Sequence, residues 1–287
     1  MIFKKKLKNK NNDIAWVETF SSTAELVKVN DARPINFSSA GPGGVRTRVK
    51  PRLDWFGPDI RSWSDVEECL RVGYQPITEK LKTAPSSLEG VGKRAAFVND
   101  VVGFAPIVPL YLQNIPTCMV RSTVKTIRNK VLNVYYENDA SSWVEAADLL
   151  NAGCALLGAI MELESQGYRF NLWVTQFYQR PGEEGYMLAV KVKDANRALD
   201  IKRISFPLAH PAFLRAVGFD WYERFPNAKE LSGYGQPLTV KYNRKQIQDI
   251  YEEMFNERCV VFSAQSDIHN SREEFRKVIE NAGQKMG

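Results

Sequence analysis

The sequence predicts an α/β fold, a largely parallel sheet flanked by helices and entered through an irregular N-terminal region. Three observations carry this expectation. β-rich runs recur at Lys130 to Tyr136, Tyr168 to Tyr178, Tyr186 to Val192 and Arg258 to Phe262. Between the first two, Trp143, Ala147, Leu150, Cys154, Leu157, Ile160 and Leu163 follow the spacing of three and four that buries one helix face. The order strand, long helix, strand, hairpin strand, helix, helix, strand, helix puts helices in the crossovers that a parallel sheet requires.

The remaining elements follow in chain order. Residues 1–12 read as a flexible basic tail. A helix follows Ser22, where Ser22 and Glu25 have capping-box spacing. Residues 31–60 are broken by Pro34, Gly41-Pro42-Gly43-Gly44, Pro51 and Gly57-Pro58, so no long element is expected there. Ser64 and Glu67 mark the next helix, with Gly73 as its stop, and a polar helix spans Gln75 to Leu81. Ala95 to Gly103 and Met119 to Ile127 read as strands. Gly182-Glu183-Glu184-Gly185 is a hairpin turn. A helical stretch from Asp194 is interrupted at Pro207 and Pro211 and resumes to Val217. Helices at Lys245 to Asn256 and from Ser271, boxed by Glu274, complete the chain. The domains expected are the tail, an irregular region over 13–119 and an α/β core over 120–287.

Composition bounds the function. With 44% hydrophobic and 25% charged residues in 287, the chain can bury a core and is not a disordered protein. It has no run of roughly 18 apolar residues, so no membrane span is expected. The basic start has no apolar stretch behind it, which excludes a secretory signal and predicts a cytosolic location. Cys69, Cys118, Cys154 and Cys259 form no paired motif and stand near no histidine, so they read as reduced core residues rather than ligands or nucleophiles. Adjacent carboxylates such as Glu67/Glu68 and Glu252/Glu253 point in different directions and form no acid/base pair. There is no G-x-S-x-G elbow and no G-K-[ST] phosphate loop, and His210, between two prolines, has no visible partner. The expectation leans away from an enzyme, and no cofactor is implied.

The net charge of +6 favours a polyanionic partner. Arg46, Arg48 and Lys50 alternate onto one face of an extended segment, with Arg52, Trp55 and Phe56 following. Cations for phosphate beside rings for bases suit single-stranded nucleic acid; a charged edge strand is the alternative. Arg121, Lys125, Arg128 and Lys130 form a second basic group, and Lys241, Arg244 and Lys245 a third. If the fold brings these groups together they make a phosphate groove; if not, they are solubilising charge.

Three stretches carry a resemblance: the Trp63 helix ending at Gly73-Tyr74, Asn114-Ile115-Pro116-Thr117-Cys118-Met119, and Phe206-Pro207-Leu208-Ala209-His210-Pro211-Ala212-Phe213-Leu214-Arg215. They resemble an uncharacterised bacteriophage protein family, which implies a phage origin. The element order after residue 130 also resembles a von Willebrand A-type (Rossmann-like) domain, a fold whose D-x-S-x-S metal loop follows its first core strand. Here Asp139 and Ser141 match the first two ligand positions and Trp143 occupies the third. The resemblance makes Asp139 and Ser141 candidate metal ligands; as plain residues Asp139, Ser141 and Ser142 are helix caps.

The functional expectation is a phage-encoded, non-enzymatic protein that binds nucleic acid, single-stranded DNA above all, in replication or transcription. The alternatives are a protein-interaction adaptor on a degenerate von Willebrand A-like scaffold, marked by an apolar patch near the Asp139 loop, and an enzyme of unfamiliar type.

Overall fold

The computed structural model describes residues 2–6, 14–32, 55–82, 94–125, 130–141, 143–178, 184–225, 237–240 and 242–286. Its strands are β1 (Ile2–Lys6), β2 (Ile14–Phe20), β3 (Arg94–Asp100), β4 (Ala105–Pro106), β5 (Met119–Lys125), β6 (Lys130–Glu137), β7 (Tyr168–Tyr178), β8 (Gly185–Lys193) and β9 (Val260–Ser263). Its helices are α1 (Thr23–Ala32), α2 (Trp63–Val72), α3 (Gln75–Lys82), α4 (Val108–Leu112), α5 (Ala146–Ser165), α6 (Ile201–Ala209), α7 (Phe219–Tyr222), α8 (Arg244–Phe255) and α9 (Arg272–Met286). The expected α/β class is found.

The main sheet runs β1-β2-β8-β7-β6-β9. It is mixed rather than largely parallel. β6 lies parallel to β7 and β9, and β2 parallel to β8, but β7 and β8 are antiparallel and β1 runs antiparallel to β2. Part of the basic tail is therefore ordered backbone, because residues 2–6 pair with 14–18. The expected hairpin turn at 182–185 falls mostly outside the described residues.

Alternation along the strands supplies two cores. Leu132, Val134 and Tyr136 of β6 face α5, α6 and α9, while Tyr135 faces Ile247, Tyr251 and Met254 of α8. Helix α5 is long and apolar enough by composition to cross a membrane, yet Leu149, Leu156, Leu157, Ile160 and Leu163 are buried in the first core. It is the central packing helix of the fold, and burying each such side chain contributes about 1.5–3 kcal/mol.

Two local readings change. The N-cap of α2 is Ser62, boxed with Asp65, two residues ahead of the expected Ser64 and Glu67. Pro207 lies inside α6, and the chain resumes at once as a π-helical turn over Phe213–Gly218. Tertiary burial of Ile204, Phe206 and Leu208 outweighs the lost backbone bond.

Residues 94–125 build a separate three-stranded sheet, β3-β5-β4. Between Leu81 and Leu132, no described residue joins either core. This arm hangs from the amino end of β6, with 126–129 between β5 and β6.

Where α2 ends, Gly73 takes φ +82° and donates its N–H to the Cys69 carbonyl at 2.9 Å. A Cβ there would lie 1.9 Å from the Lys202 carbonyl oxygen of α6. Gly73→Ala is expected to lower the unfolding free energy by about 2–4 kcal/mol in urea titration, since strain and backbone collision add.

Candidate functional site

The parallel strands β7, β6 and β9 end together, and in α/β sheets that edge is where sites form. Here the register sets Thr175, Glu137 and Ser263 side by side. Tyr251 of α8 closes over this polar row, its hydroxyl 2.6 Å from the Thr175 hydroxyl. Glu137 is fully buried; one carboxylate oxygen accepts the Leu238 N–H at 2.7 Å and Oε2 has no donor. Asp139, equally buried, accepts the Phe177 N–H at 2.5 Å through Oδ2, and its Oδ1 has no donor. Asp267 follows β9, accepting from Ser263 N at 2.9 Å and pairing with Arg244.

Burial first, and then the nearby Asp267 charge, pushes the Glu137 carboxyl up to about 7, against the opposing pull of the Leu238 N–H and Ser263. Desolvation and the Glu137 charge hold the Asp139 carboxyl well above the usual carboxylate range. The row is closed off from solvent, and burial favours the protonated form of both carboxyls.

The metal reading of Asp139 and Ser141 is corrected on this geometry. Asp139 is committed to the β7 backbone, the Ser141 N–H donates to Gln265 Oε1 at 2.8 Å, and Trp143 is exposed in the third position. Hard cations need several converging oxygens. Among the described residues no group of three His, Cys, Asp or Glu side chains is placed to hold a metal. Capping by Asp139 and Ser141 is corrected as well: α5 starts at Ala146 behind Glu145, which makes no side-chain cap. Ser142 lies outside the described residues.

Trp55 and Phe56 do not offer rings to bases. Phe56 is buried, and Trp55 packs on Phe56, on Phe219 at 5.7 Å and under the Arg215 guanidinium at 5.2 Å. Buried Arg215 donates to the Trp55 and Val144 carbonyls, and desolvation lowers it to about 10. His210 pins the same loop. Its Nδ1 accepts from Ala212 N and its Nε2 pairs with the Pro58 carbonyl, both at 3.1 Å; burial lowers it to about 4, so it is neutral. A small cleft of about 10 Å³ beside it, no larger than a water molecule, is lined by Tyr136, Asn138, Leu149, Leu208, His210 and Leu214.

The basic residues divide. Arg46, Arg48, Lys50, Arg52, Arg128 and Lys241 lie outside the described residues. Arg121 is exposed on β5 and paired with Asp100 at 2.9 Å; Lys125 ends the same strand. Lys130 is exposed at the amino end of β6, 5.8 Å from the Tyr168 ring centroid. Arg244 and exposed Lys245 begin α8 near Asp267, beyond the carboxyl end of the sheet. A strand of that length separates the two ends by about 20–25 Å, so Lys130 and Arg244 do not line one groove.

The arm carries what the charge pattern overlooked. Residues 101–120 contain no charged side chain. Val101, Val102, Phe104, Val108, Tyr111 and Leu112 are exposed there, Val102 to 70% and Leu112 to 74%. Exposed apolar clusters are candidate contact surfaces. The absence of charge over 101–120 was its signal in the sequence.

One family match runs over residues 8–281, nearly the whole chain, and it is to DUF7192, a domain of unknown function. The chain belongs to the DUF7192 family. No curated protein and no solved structure matches it.

The acid row makes a DUF7192 chain sensitive to pH. Glu137 titrates near 4.5 when unfolded and about 7 when folded, so the native state holds the proton more tightly. Its contribution is intact below about 4.5 and is lost as pH rises through about 7. Thermal melts should therefore weaken between about pH 5 and pH 8, with Glu137→Gln more stable than wild type by about 1–3 kcal/mol at the upper end and equal to it at the lower. A variant less stable at high pH would mean that the carboxylate is ionised and compensated.

Proposed function

We propose that this DUF7192 chain is a non-enzymatic protein-interaction adaptor: a von Willebrand A-like α/β body whose metal loop has become a sealed acid row, carrying a rigid apolar docking arm. The central order β8-β7-β6-β9, with β8 antiparallel and α5 following β6, supports the scaffold reading. The observation that carries the function is the charge-free, exposed tip over 101–112. Pro106 and Pro109 stiffen it, and the Phe104 N–H to Val120 carbonyl bond at 2.9 Å ties its start back to β5. A preformed apolar knob loses little entropy on docking and fits an apolar groove on a protein. The phage-like stretches support a partner in the cytosol of an infected cell.

Photo-crosslinking residues installed at positions 102 and 112 should trap one and the same protein in the producing cell. The same residue at exposed Glu273 of α9 should not trap it. Adducts equal at all three positions, or none at the tip, would remove the adaptor reading.

A second reading keeps nucleic acid, single-stranded DNA first, as the partner in replication or transcription. It is favoured by exposed Arg121 on the arm and exposed Lys130 at the amino end of β6. Anisotropy with labelled oligonucleotides should then reveal affinity that falls steeply with salt and weakens with Arg121→Ala and Lys125→Ala. Binding that is absent even at low salt ends this reading.

A further inference from the structure

We propose that His210 is a neutral-only latch: a proton gained at its Nδ1 turns the ring out and lifts the 55–60 loop from the body. No residue of this device belongs to the arm, so it stands independently of the adaptor reading. The backbone of His210 is fixed on both sides, its N–H donating to the Phe206 carbonyl and its carbonyl accepting from Phe213 N, both at 3.0 Å. Only the imidazole is free to move.

Both ring nitrogens are committed. Nδ1 meets the Ala212 N–H and has to accept, while Nε2 meets the Pro58 carbonyl and has to donate. One species satisfies both, the neutral ring with its proton on Nε2. A second proton sets a ring N–H against the Ala212 N–H and leaves a charge out of water. The ring has no room to turn in place. Tyr74 packs edge-on at 4.5 Å and Phe206 stacks at 5.3 Å. Gly57, at φ +92°, lies so close that a Cβ there would be 2.9 Å from the ring carbon Cε1. The adjoining cleft holds no more than a water molecule. Phe206 and the cleft wall are core, so the side that yields is the loop. Lifting it bares Phe56 and Ile60, which are 6% and 1% exposed when it is closed.

The titratable groups around the ring are Asp59 on the loop, the Tyr74 phenol that bonds it, and the Tyr136 phenol of β6 across the cleft. Helices α5 and α6 present Leu149, Leu208 and Phe206, and Arg215 of the π-helical turn bonds the same loop at Trp55. Burial keeps the proton off, against the pull of the Pro58 carbonyl and the Asp59 charge, so the ring titrates at about 4 with the loop closed and near 6.5 once it is free. The lower value belongs to the closed form, so closure is at full strength above about 6.5. It weakens about tenfold per pH unit down to about 4, where the loss levels off at a few hundredfold.

Nuclear magnetic resonance on the full chain, with labelled histidine rings and isoleucine methyls, tests this across that pH range. Ile60 reports the loop, Ile160 of α5 the core, and exposed His269 serves as the reference histidine. His210 should show the Nε2–H tautomer at neutral pH. The Ile60 signal should shift as the pH falls from about 6.5 to about 4, while Ile160 holds still. His210→Asn keeps an acceptor for the Ala212 N–H but does not titrate or reach Pro58, so its Ile60 signal should match the acid form at every pH. Gly57→Ala pries the loop off without touching the imidazole, and His210 should then titrate near 6.5. An Ile60 signal indifferent to pH overturns the proposal, as does loss of Ile60 and Ile160 together, which is unfolding of the whole body. So does a pH response that survives in His210→Asn, or a His210 that still titrates at about 4 in Gly57→Ala.

Discussion

Strand β6 is covered on both faces, by α5 and α9 on one side and α8 on the other, and the rest of the body is arranged around that constraint. With both faces dry, the turn at its carboxyl end is carried inside as well. Glu137, Asn138 and Asp139 are drawn in with it, and a carboxylate without a counterion is expensive to bury. The Phe177 and Leu238 backbone N–H groups each answer one carboxyl oxygen, and burial holds both acids toward their neutral forms. An edge that in open α/β folds receives ligands is here closed by Leu238, Tyr251 and the β7 backbone.

The arm obeys a different economy. Its strands contribute to neither core, and its tip keeps large side chains in water that could have been placed inside. A surface of that composition is unfavourable for a lone chain and useful for an assembled one. The body has a closely packed interior. His210 and Arg215 lock the 55–60 loop into it, while the exposed apolar residues belong to the arm that precedes β6 in the chain.

Several elements were legible from local pattern. The spacing from Ala147 to Leu163 specified α5, β-branched and aromatic runs specified β6 to β9, and Ser271 with Glu274 marked the start of α9. Elsewhere context overrode local signals. Ser62 rather than Ser64 caps α2 because Asp65 reaches back to the Ser62 N–H at 2.7 Å. Strand β2 was missed because Trp16 and Glu18 face one core while Ala15 and Val17 face the other, a pattern that a half-exposed strand does not have. At the site, a basic-aromatic segment suggested a base-stacking face, but a ring beside a cation looks the same in sequence whether the pair faces solvent or, like Trp55 with Arg215, the core.

The sequence by itself determined the α/β class, the long core helix and the charge-free stretch at 101–120, because each depends on the period or composition of contiguous residues. Tertiary structure alone decided that β5 and β6, five residues apart, belong to different sheets, and that Lys130 and Arg244 stand at opposite ends of one of them. It also decided that Asp139 serves the β7 backbone rather than a helix end or a metal. Those outcomes depend on which distant strand pairs with which and in what register, and no local run of residues encodes its partner's identity.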